Sequence, residues 1–549
     1  MEAKQENYAK KLKKWTLMFF FASDNNLSPS MLYQLKSIKS AGFQLDTNVV
    51  VHFDPYERGV PSRIFEINRT EKKGQYSSRI GDDRDPIIRN LAGDQVEPEI
   101  TQEDPGFRKS RSSRYYDNQT ANEALTDFLD LCAEKYPAEQ YMLFLIGHGL
   151  VVGRDAFLPD DNPNSGISLV ELGTILGTFQ KTIRAKGGEL ELIGLHSCSM
   201  SAVEVAYQLK GKAKYMMASE GLSFVGAWPY RQMLQKIFCA IDHAGQAKVG
   251  LANLVKGLHE LCVHNSADFI FAGYSSDLCL CSLDPERVEA LTAPIEELAK
   301  TLRSALEDDR GKELILLAHW KSQSYFQEAY TDLFDFCRCL RESCSNADSN
   351  VAQQAMKRAC GSVIEALSPG ETSKGPIIEV DYFGPDSQYS YGLSIYFPWF
   401  RPIEDASENV IKNYKTYAFV NDLHGNSWLG FLKAYFKKTL RSARKNEPVL
   451  NPDYDRQEAL KLASSSFRRI GFQTRSPEYA SSMLTGKVNP SDASGYWIPS
   501  SVKNYSRDFS ISERALKVFL PERGRKKRTK WTIMSFLAAA KNGLLPPWL

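Results

Sequence analysis

Short apolar runs alternate with longer amphipathic stretches from about residue 14 to about residue 230. This alternation is typical of βα units around a mainly parallel sheet. Helix-like segments lie before the fourth and fifth runs, and the third run has the character of an antiparallel or edge strand. The sequence therefore predicts an α/β fold in this half of the chain. The predicted strands cover residues 15–22, 47–53, 63–68, 141–146, 190–195 and 215–219.

Outside this core the pattern changes three times. Residues 72–116 are polar and crowded with charge, which predicts a long exposed insertion. Beyond residue 240 the periodicity becomes mainly helical, with strand-like breaks near 269–275 and 391–397, and indicates a second, largely helical lobe. After residue 436 the chain is polar and basic. We therefore divide the chain into a basic lead (1–14), an α/β core (15–240), an accessory lobe (241–436) and a C-terminal extension (437–549).

The overall composition is that of a globular protein. Of the 549 residues, 43% are hydrophobic and 24% are charged, which supplies a core and argues against a disordered chain. The formal net charge of +2 gives no general attraction for nucleic acid. No run approaches the roughly 18 apolar residues that are needed to span a bilayer. We therefore expect no membrane partner.

The distribution of the cysteines and the N-terminal residues bear on the cellular compartment of the protein. The ten cysteines are scattered without the framework of a small disulfide-bonded domain, which favours reduced thiols. Residues 1–14 are rich in lysine and lack the apolar core of a secretion signal. We therefore expect a cytoplasmic protein in which a thiol is free for chemistry.

Polar side chains follow three of the predicted strands, at residues 22–27, 147–149 and 196–200. The carboxyl ends of parallel strands meet at one edge of a sheet, so we expect these groups to lie together. Cys198 lies between a strand and a helix-like run, where the helix dipole favours the thiolate. His148 lies between two glycines. Because a thiol beside an imidazole is an activated nucleophile, the two residues predict covalent catalysis.

The other cysteines offer a different interpretation, a zinc site. A single cysteine is usually a small buried hydrophobic residue, and Cys198 is singled out by the second reactive group at a neighbouring strand end. The remaining pairs have C-x-C spacing rather than the C-x₂₋₄-C of most zinc sites, which disfavours this alternative. The residues concerned are Cys279, Cys281, Cys337, Cys339 and Cys344.

With these residues the sequence resembles the clostripain-like cysteine peptidases, a family of the caspase-like clan. The resemblance runs from about residue 15 to about residue 436, and the separation of 50 positions between His148 and Cys198 is of the caspase type. It implies a caspase-like, mainly parallel sheet flanked by helices. The matching motifs lie at residues 22–27, 147–149, 198–209, 218–220, 228–230, 331–336 and 391–398.

The resemblance implies a Cys-His dyad. Cys198 would attack the scissile carbonyl, and His148 would protonate the leaving amine. Backbone N–H groups near Gly149 and Cys198 would form the oxyanion hole. The implied substrates are proteins, cleaved after a basic residue with Arg preferred to Lys, which needs an acid in the specificity pocket. This chemistry requires no cofactor.

The chain departs from the family two residues before the nucleophile. Family members usually carry an aspartate there, which helps to shape the pocket for the basic side chain, whereas this chain has His196. We expect Glu220 or Asp24 to supply the acid instead, with Glu220 ranked first. The alternative role for each acid is a helix cap or an ion pair. His196 would share a face with Cys198 and is also a candidate second proton carrier, ranked below His148.

Family members are often made as zymogens that are activated when a loop is cut, sometimes with calcium. An activating protease is therefore an expected partner. The loop after His148 is acidic but lacks a recognised calcium-loop spacing, so a solvated surface loop is the alternative. Its acidic and amide residues are Asp155, Asp160, Asp161 and Asn162. The basic residues that we expect to be cut are Arg108, Lys109, Arg111 and Arg114 in the insertion, and Arg154 near the active site.

The biological role stays open at this stage. Some relatives act inside bacterial cells as effectors of proteolytic defence cascades, and a cytoplasmic chain resembles that type. The alternatives are an inactive scaffold that binds partner proteins, and a nucleic-acid-associated protein suggested by the basic run 523–530. The intact pair of Cys198 and His148 argues against the scaffold. The basic run lacks interleaved aromatic residues that would stack on bases, which makes nucleic acid the weaker alternative.

Overall fold

The structure is a computed structural model of the chain. Most of the predicted N-terminal lead and insertion, and almost all of the C-terminal extension, lie outside the residues that it describes. The described residues are 12–42, 44–54, 62–69, 76–77, 119–152, 157–161, 164–245, 249–266, 275–325, 329–344, 350–398, 413–423 and 427–439.

The strands of the described residues form one large sheet and three small ones. They are β1 (Lys13–Phe21), β2 (Thr47–Phe53), β3 (Arg63–Glu66), β4 (Asn68–Arg69), β5 (Tyr76–Ser77), β6 (Ala138–Ile146), β7 (Phe157–Asp161), β8 (Asn164–Ile167), β9 (Glu189–His196), β10 (Tyr215–Ala218), β11 (Ser276–Ser282), β12 (Ser324–Tyr325), β13 (Tyr330–Asp332), β14 (Ile377–Phe383) and β15 (Ser394–Tyr396).

Helices fill many of the connections between these strands and dominate the described residues from 285 onward. They span Ser28–Ser40, Ala121–Lys135, Leu169–Arg184, Val203–Leu209, Tyr230–Ala244, Leu251–Ser266, Pro285–Glu289, Thr292–Ala305, Asp309–Lys321, Leu333–Ser343, Val351–Leu367, Ala418–Asp422 and Ser427–Thr439. Within the part of the chain that is described, a 3₁₀ turn covers Pro385–Ser387.

The large sheet has eight strands in the order β14-β11-β10-β9-β6-β1-β2-β3. The five central strands, from β10 to β2 in this order, pair in parallel. The strands at both edges pair antiparallel: β3 on one side, β11 and β14 on the other. The predicted mainly parallel α/β sheet is confirmed, including its antiparallel edge strand.

Both faces of this sheet are covered, as the unbroken apolar strands require. In β1, Met18 and Phe20 face one hydrophobic core, whereas Leu17 and Phe19 face the other. Helices Ala121–Lys135 and Leu169–Arg184 cover the first face. Each begins with a capping box, in which a Ser or Thr and a Glu exchange hydrogen bonds with the backbone at the first turn.

The second face is covered by the helices Ser28–Ser40, Tyr230–Ala244 and Leu251–Ser266. The last of these helices, and the strands β11 and β14, come from the segment that the sequence assigned to an accessory lobe. These two strands hydrogen-bond to β10 and to each other within the core sheet. The predicted core and lobe therefore share one sheet, although the helices from residue 285 onward form the expected helical layer beside it.

Among the described helices, none combines the length and the apolar character that crossing a membrane requires.

Candidate active site

Four adjacent parallel strands end at the same edge of the large sheet. Their register pairs Phe21 of β1 with Ile146 of β6, Ile146 with His196 of β9, and Leu195 with Ala218 of β10. The segments that follow these strands therefore emerge side by side, at the edge where open α/β sheets generally bind their ligands. They contain Asp24, His148, Cys198 and Glu220, the residues predicted from sequence.

The loops that carry the histidine and the cysteine are in backbone contact at Gly149. A Cβ atom added to Gly149 would lie 2.7 Å from Cβ of Ser197 and 3.2 Å from the carbonyl oxygen of Cys198. Real Cβ atoms essentially never approach another heavy atom as closely as the shorter distance, so a side chain here would push the loops apart. The glycine is therefore required for the close approach of the two loops.

The thiol of Cys198 is partly exposed and faces the chain that follows β10. The backbone N–H of Ser223 donates to Sγ at 3.4 Å, and the thiol faces the Ser223 carbonyl at 3.8 Å. Burial raises the pKa of the Cys198 thiol, the negative charge of Asp277 adds to the rise, and the Ser223 bond opposes it. The resting nucleophile is therefore a neutral thiol.

The predicted activation of Cys198 by a helix dipole is wrong. The helix begins at Val203 rather than directly after the cysteine, and a dipole acts mainly within the first turn. The intervening residues continue beside the chain that follows β10: Ser199 N–H donates to the Gly221 carbonyl and Ser201 N–H to the Ser219 carbonyl, each at 2.9 Å. Ser199 adopts a left-handed backbone conformation with φ of 55°.

The imidazole of His148 is partly exposed and hydrogen-bonds to Asn26, in the loop after β1. Its Nε2 lies 2.7 Å from Oδ1 of Asn26. Because an amide oxygen only accepts, Nε2 carries the hydrogen and Nδ1 is the basic nitrogen of the neutral ring. Burial lowers the pKa of His148, while Asp161 partly counteracts it. The ring is therefore neutral at pH 7 and able to accept a proton.

Asn26 is a site residue that the sequence analysis missed. It belongs to the polar motif 22–27, whose position after a strand predicts a place at the sheet edge but indicates no role for the Asn26 side-chain amide. Within the described residues, His148 bonds to Asn26 and Cys198 bonds to Ser223, and the two reactive side chains do not hydrogen-bond to each other. The structure thus places His148 and Cys198 at one edge of the sheet, without a hydrogen bond between the imidazole and the thiol.

His196 is a structural residue beneath the loop after β10. Its Nδ1 lies 2.7 Å from the Tyr230 hydroxyl and its Nε2 lies 2.7 Å from the Phe224 carbonyl oxygen. The ring stacks on Trp228 with centroids 4.6 Å apart. Burial lowers the pKa of His196 to about 4. The predicted role as a second proton carrier is not supported, because both nitrogens are engaged and the side chain is buried.

Glu220 lies in a cluster of buried acids beside the nucleophile. The side chains of Glu220, Asp277 and Asp332 are all buried. Gly392 N–H donates to Oε2 of Glu220 at 2.9 Å, no group of the described residues donates to Oε1, and the carboxyls of Glu220 and Asp332 lie within hydrogen-bond reach of each other. Burial raises the pKa of Glu220 well above its usual range, and the carboxyls of Asp332 and Asp277 add to the rise. Its surroundings therefore favour the protonated form of Glu220, and the side chain is sealed from solvent in this conformation.

Asp277 and Asp332 were not singled out from the sequence. Asp332 caps the helix Leu333–Ser343, with Oδ1 accepting the Asp335 N–H at 2.7 Å. Burial raises the pKa of Asp332 well above its usual range and raises that of Asp277 to about 6. Their long sequence separation from Glu220 hid the cluster, although Asp332 lies in the motif 331–336 that the family resemblance used.

Asp24 lies apart from the buried acid cluster, in a second group of carboxylates. Carboxylate oxygens of Asp24, Asp54 and Asp160 all lie within 4.8 Å of one another, at the ends of β1, β2 and β7. Three carboxylates form a hard oxygen donor set that suits calcium or magnesium. Of the acidic residues predicted for calcium, Asp160 belongs to this group and Asp161 does not. Asp155 and Asn162 lie outside the described residues.

The alternative zinc site does not form. In the part of the chain that the structure describes, the trio of Asp24, Asp54 and Asp160 is the one group of three or more potential ligands that converges. Cys279 and Cys281 lie on β11, and the other cysteines of that interpretation lie on or next to the helix Leu333–Ser343. The processing candidates Arg108, Lys109, Arg111, Arg114 and Arg154 lie outside the described residues.

Comparison with known proteins identifies the family of the chain. The model of the Clostripain family matches residues 19–433. Clostripain of Hathewaya histolytica is 21% identical over 498 residues, which cover 78% of this chain and 88% of that protein.

Two solved structures are similar over 75% of this chain and 98% of their own. One is an inactive zymogen of a C11 protease from Parabacteroides distasonis, with 17% identity and a TM-score of 0.45. The other is a secreted C11 cysteine protease from Bacteroides thetaiotaomicron in complex with an irreversible peptide inhibitor, with 14% identity and a TM-score of 0.46. At TM-scores below 0.5, neither likeness bears on the positions of the site residues.

The family match covers well over half of the chain and includes both His148 and Cys198. The predicted caspase-like α/β class is therefore confirmed together with the enzyme class. The chain belongs to the clostripain family of cysteine peptidases.

Proposed function

We propose that this peptidase uses Cys198 as its nucleophile and His148 as its general acid and base, and that it cleaves proteins after basic residues. The observation that most directly supports the dyad is the register of β6 and β9. This register pairs Ile146 with His196, so that both reactive residues leave the same edge of the sheet two positions later. Gly149 packs against the backbone of Cys198 and holds the two loops together.

The proposed reaction begins with a neutral pair, since burial raises the pKa of the thiol and lowers that of the imidazole. His148 takes the thiol proton through Nδ1 as sulfur attacks the scissile carbonyl carbon. The oxyanion accepts hydrogen bonds from the N–H groups of Gly149 and Cys198. His148 then protonates the leaving amine, and water hydrolyses the remaining thioester.

We also propose that the chain is made as a zymogen. One contact supports this proposal: the His148 ring is bound to Asn26, in the loop after β1, rather than to the Cys198 thiol. A productive dyad needs the imidazole within hydrogen-bond reach of the thiol. A cut at Arg154, in the connection after His148, or in the insertion would let these loops rearrange. A second protease with basic specificity is the activating partner that we propose.

The preference for Arg over Lys is supported by the buried acid cluster. Within the described residues, no basic side chain pairs with Glu220, and no group donates a hydrogen bond to its Oε1. A guanidinium would supply the missing donor and would favour the charged form of the Glu220 carboxyl. Because Glu220 is sealed in the resting conformation, the pocket would open when the chain is activated.

Calcium is the cofactor that we propose for stability rather than for the chemical step. Asp24, Asp54 and Asp160 would hold it, and its charge would offset the repulsion among their carboxylates. At free calcium of about 100 times Kd, binding to the folded chain alone would add about 2.7 kcal/mol to the free energy of unfolding. We expect calcium to raise the melting temperature of the native chain and to leave that of Asp54→Asn nearly unchanged. Calorimetry with calcium and with a chelator measures this, and equal shifts in both proteins would contradict the site.

The peptidase itself is tested with fluorogenic peptides that end in Arg, Lys, Asp or Leu. The chain is first treated with a trace of trypsin, which is then blocked completely with a serine-protease inhibitor. We expect release after Arg to exceed release after Lys, with little release after Asp or Leu. Iodoacetamide should stop the reaction, and mass spectrometry should find the label on Cys198. The Cys239→Ala protein serves as background, because Cys239 is an exposed thiol that would otherwise also be labelled.

Hydrolysis that continues after complete labelling of Cys198 would contradict the proposed nucleophile. Preferred release after Asp or Leu would contradict only the basic specificity and would leave the peptidase assignment intact. A cytoplasmic location and a role in a defence cascade stay predictions from the sequence.

A further inference from the structure

Residues 219–223, which follow β10, lie against the loop of Cys198 and supply the backbone groups that contact its thiol. The Gly221 carbonyl accepts the Ser199 N–H at 2.9 Å, next to Cys198. Two residues later the N–H of Ser223 donates to Sγ of Cys198 at 3.4 Å. This N–H opposes the rise in the pKa of the thiol and so favours the thiolate. The position of residues 219–223 therefore affects the reactivity of the nucleophile.

A buried carboxylate on β11 holds this segment. Oδ2 of Asp277 accepts the N–H of Glu220 at 2.6 Å, and Oδ1 accepts the N–H of Gly221 at 2.9 Å. Two consecutive backbone amides thus bind one carboxylate, an arrangement that is stronger than a pair of neutral hydrogen bonds. Gly221 permits it: an added Cβ would lie 2.9 Å from Oδ1 of Asp277 and 3.1 Å from the ring of Tyr325.

We propose that Asp277 is a positioning residue of the peptidase, whose carboxylate fixes the amides of Glu220 and Gly221 and thereby holds the Ser223 N–H against Cys198. The proposal rests on the proposed role of Cys198 as nucleophile. Asp277 does not touch the reacting atoms itself. It acts through the backbone of residues 219–223, and it works in the ionised form because both of its oxygens must accept.

The surroundings of Asp277 make this ionised form sensitive to pH. Burial raises the pKa of Asp277 to about 6, and the two backbone amides partly counteract the rise. The titratable groups that face it are acids or neutral at pH 7: Glu220, Cys198, Cys279 and Tyr325, with Tyr382 opposite it on β14. As pH falls through about 6, one carboxyl oxygen gains a hydrogen and can no longer accept. The positioning is therefore present above this pH and is lost below it.

The test is the variant Asp277→Asn, assayed in the activated full chain. The carboxamide has the same shape but provides one acceptor and directs a donor at the second amide. We expect kcat to fall about tenfold while KM changes little, since one charge-assisted hydrogen bond is lost near the nucleophile. In the native chain the acid limb of kcat/KM should reflect two protonations, of Asp277 and of His148. In Asp277→Asn it should reflect one.

The rate at which iodoacetamide alkylates Cys198 separates positioning from simple electrostatics. The negative charge of Asp277 raises the pKa of the thiol, so removal of the charge alone would make alkylation faster. Loss of the Ser223 N–H from Sγ would make it slower. We expect slower alkylation in Asp277→Asn than in the native chain at pH 7. Equal or faster alkylation would overturn the proposal.

Two further variants guard against a trivial result. Asp381→Asn changes a carboxylate on the neighbouring strand β14 whose side chain is more than half exposed, and it should match the native chain in every measurement. If Asp277→Asn fails to fold, Gly221→Ala disturbs the same hydrogen bond, because its Cβ would lie 2.9 Å from Oδ1 of Asp277. This variant should slow alkylation of Cys198 in the same way. Native rates and an unchanged acid limb in either folded variant would refute the positioning role. If Cys198→Ala retained activity, the proposed function itself would fail first.

Discussion

Replacement of Cys198 with alanine abolishes peptide hydrolysis in the activated chain, with an expected fall in kcat on the order of 10⁴-fold or more. Alanine cannot form the thioester, and neither Ser197 nor Ser199 can take over, because both of their side chains are buried, whereas Cys198 is partly exposed. The loss is measured with the Arg peptide after trypsin has been blocked. Binding of the peptide should survive, since the thiol contributes little to it.

The matched control for this variant is Cys239→Ala. Cys239 is an exposed free cysteine on the helix Tyr230–Ala244, away from the strand ends that form the site. Its replacement should leave kcat and KM unchanged. Residual activity in Cys198→Ala within tenfold of the native chain would show that another residue is the nucleophile.

The second large effect is expected for Gly149→Ala, which we predict to lower kcat/KM about 100-fold. The new methyl group would lie 2.7 Å from Cβ of Ser197, so the histidine loop or the cysteine loop must move by several tenths of an ångström. A misplacement of about 1 Å between reacting groups can cost roughly 100-fold in rate, and the smaller movement here would displace both the dyad and the Gly149 N–H of the proposed oxyanion hole. The global fold should persist, because the strain falls on two loops at the sheet edge. Steady-state kinetics and circular dichroism together measure the two parts of this prediction.

Gly361→Ala is the control for adding a methyl group to a glycine. Gly361 lies within the helix Val351–Leu367, and nothing lies within 4 Å of an added Cβ. Alanine should there stabilise the helix by about 1 kcal/mol and leave activity unchanged. Unaltered kinetics in Gly149→Ala would mean that the two loops are not held at a fixed distance during catalysis.

The strand pattern of the first half of the chain was sufficient to predict six of the eight strands of the large sheet and the edge at which the polar segments emerge, but not the places of β11 and β14. Unbroken apolar runs such as β1 and β6 are typical of strands that are buried on both faces, and polar residues directly after them mark the carboxyl ends. For this reason His148 and Cys198 could be named before the strand order was known. The family resemblance added the chemistry, which apolar periodicity does not encode.

The contacts of the site could not be predicted in the same way. Whether the thiol faces a helix depends on where that helix begins, and residues 199–202, which are Ser, Met, Ser and Ala, are compatible with either outcome. The bond between His148 and Asn26 joins loops that are 122 positions apart. The hydrogen bond from the Glu220 N–H to Asp277 joins residues 57 positions apart, and it depends on β11 joining the large sheet beside β10. These are tertiary pairings, which local spacing does not specify.

The place of β1 within the sheet has a consequence for processing at Arg108, Lys109, Arg111 or Arg114. A cut there would put β1 and β2 on one fragment and β6, β9 and β10 on the other. Yet β1 lies between β2 and β6 and hydrogen-bonds along its length to both. The two fragments would therefore remain one particle in gel filtration and separate only under denaturing conditions. Processing would convert what is now an intramolecular strand pairing into a subunit interface, and the mature enzyme would be a two-chain protein encoded as one.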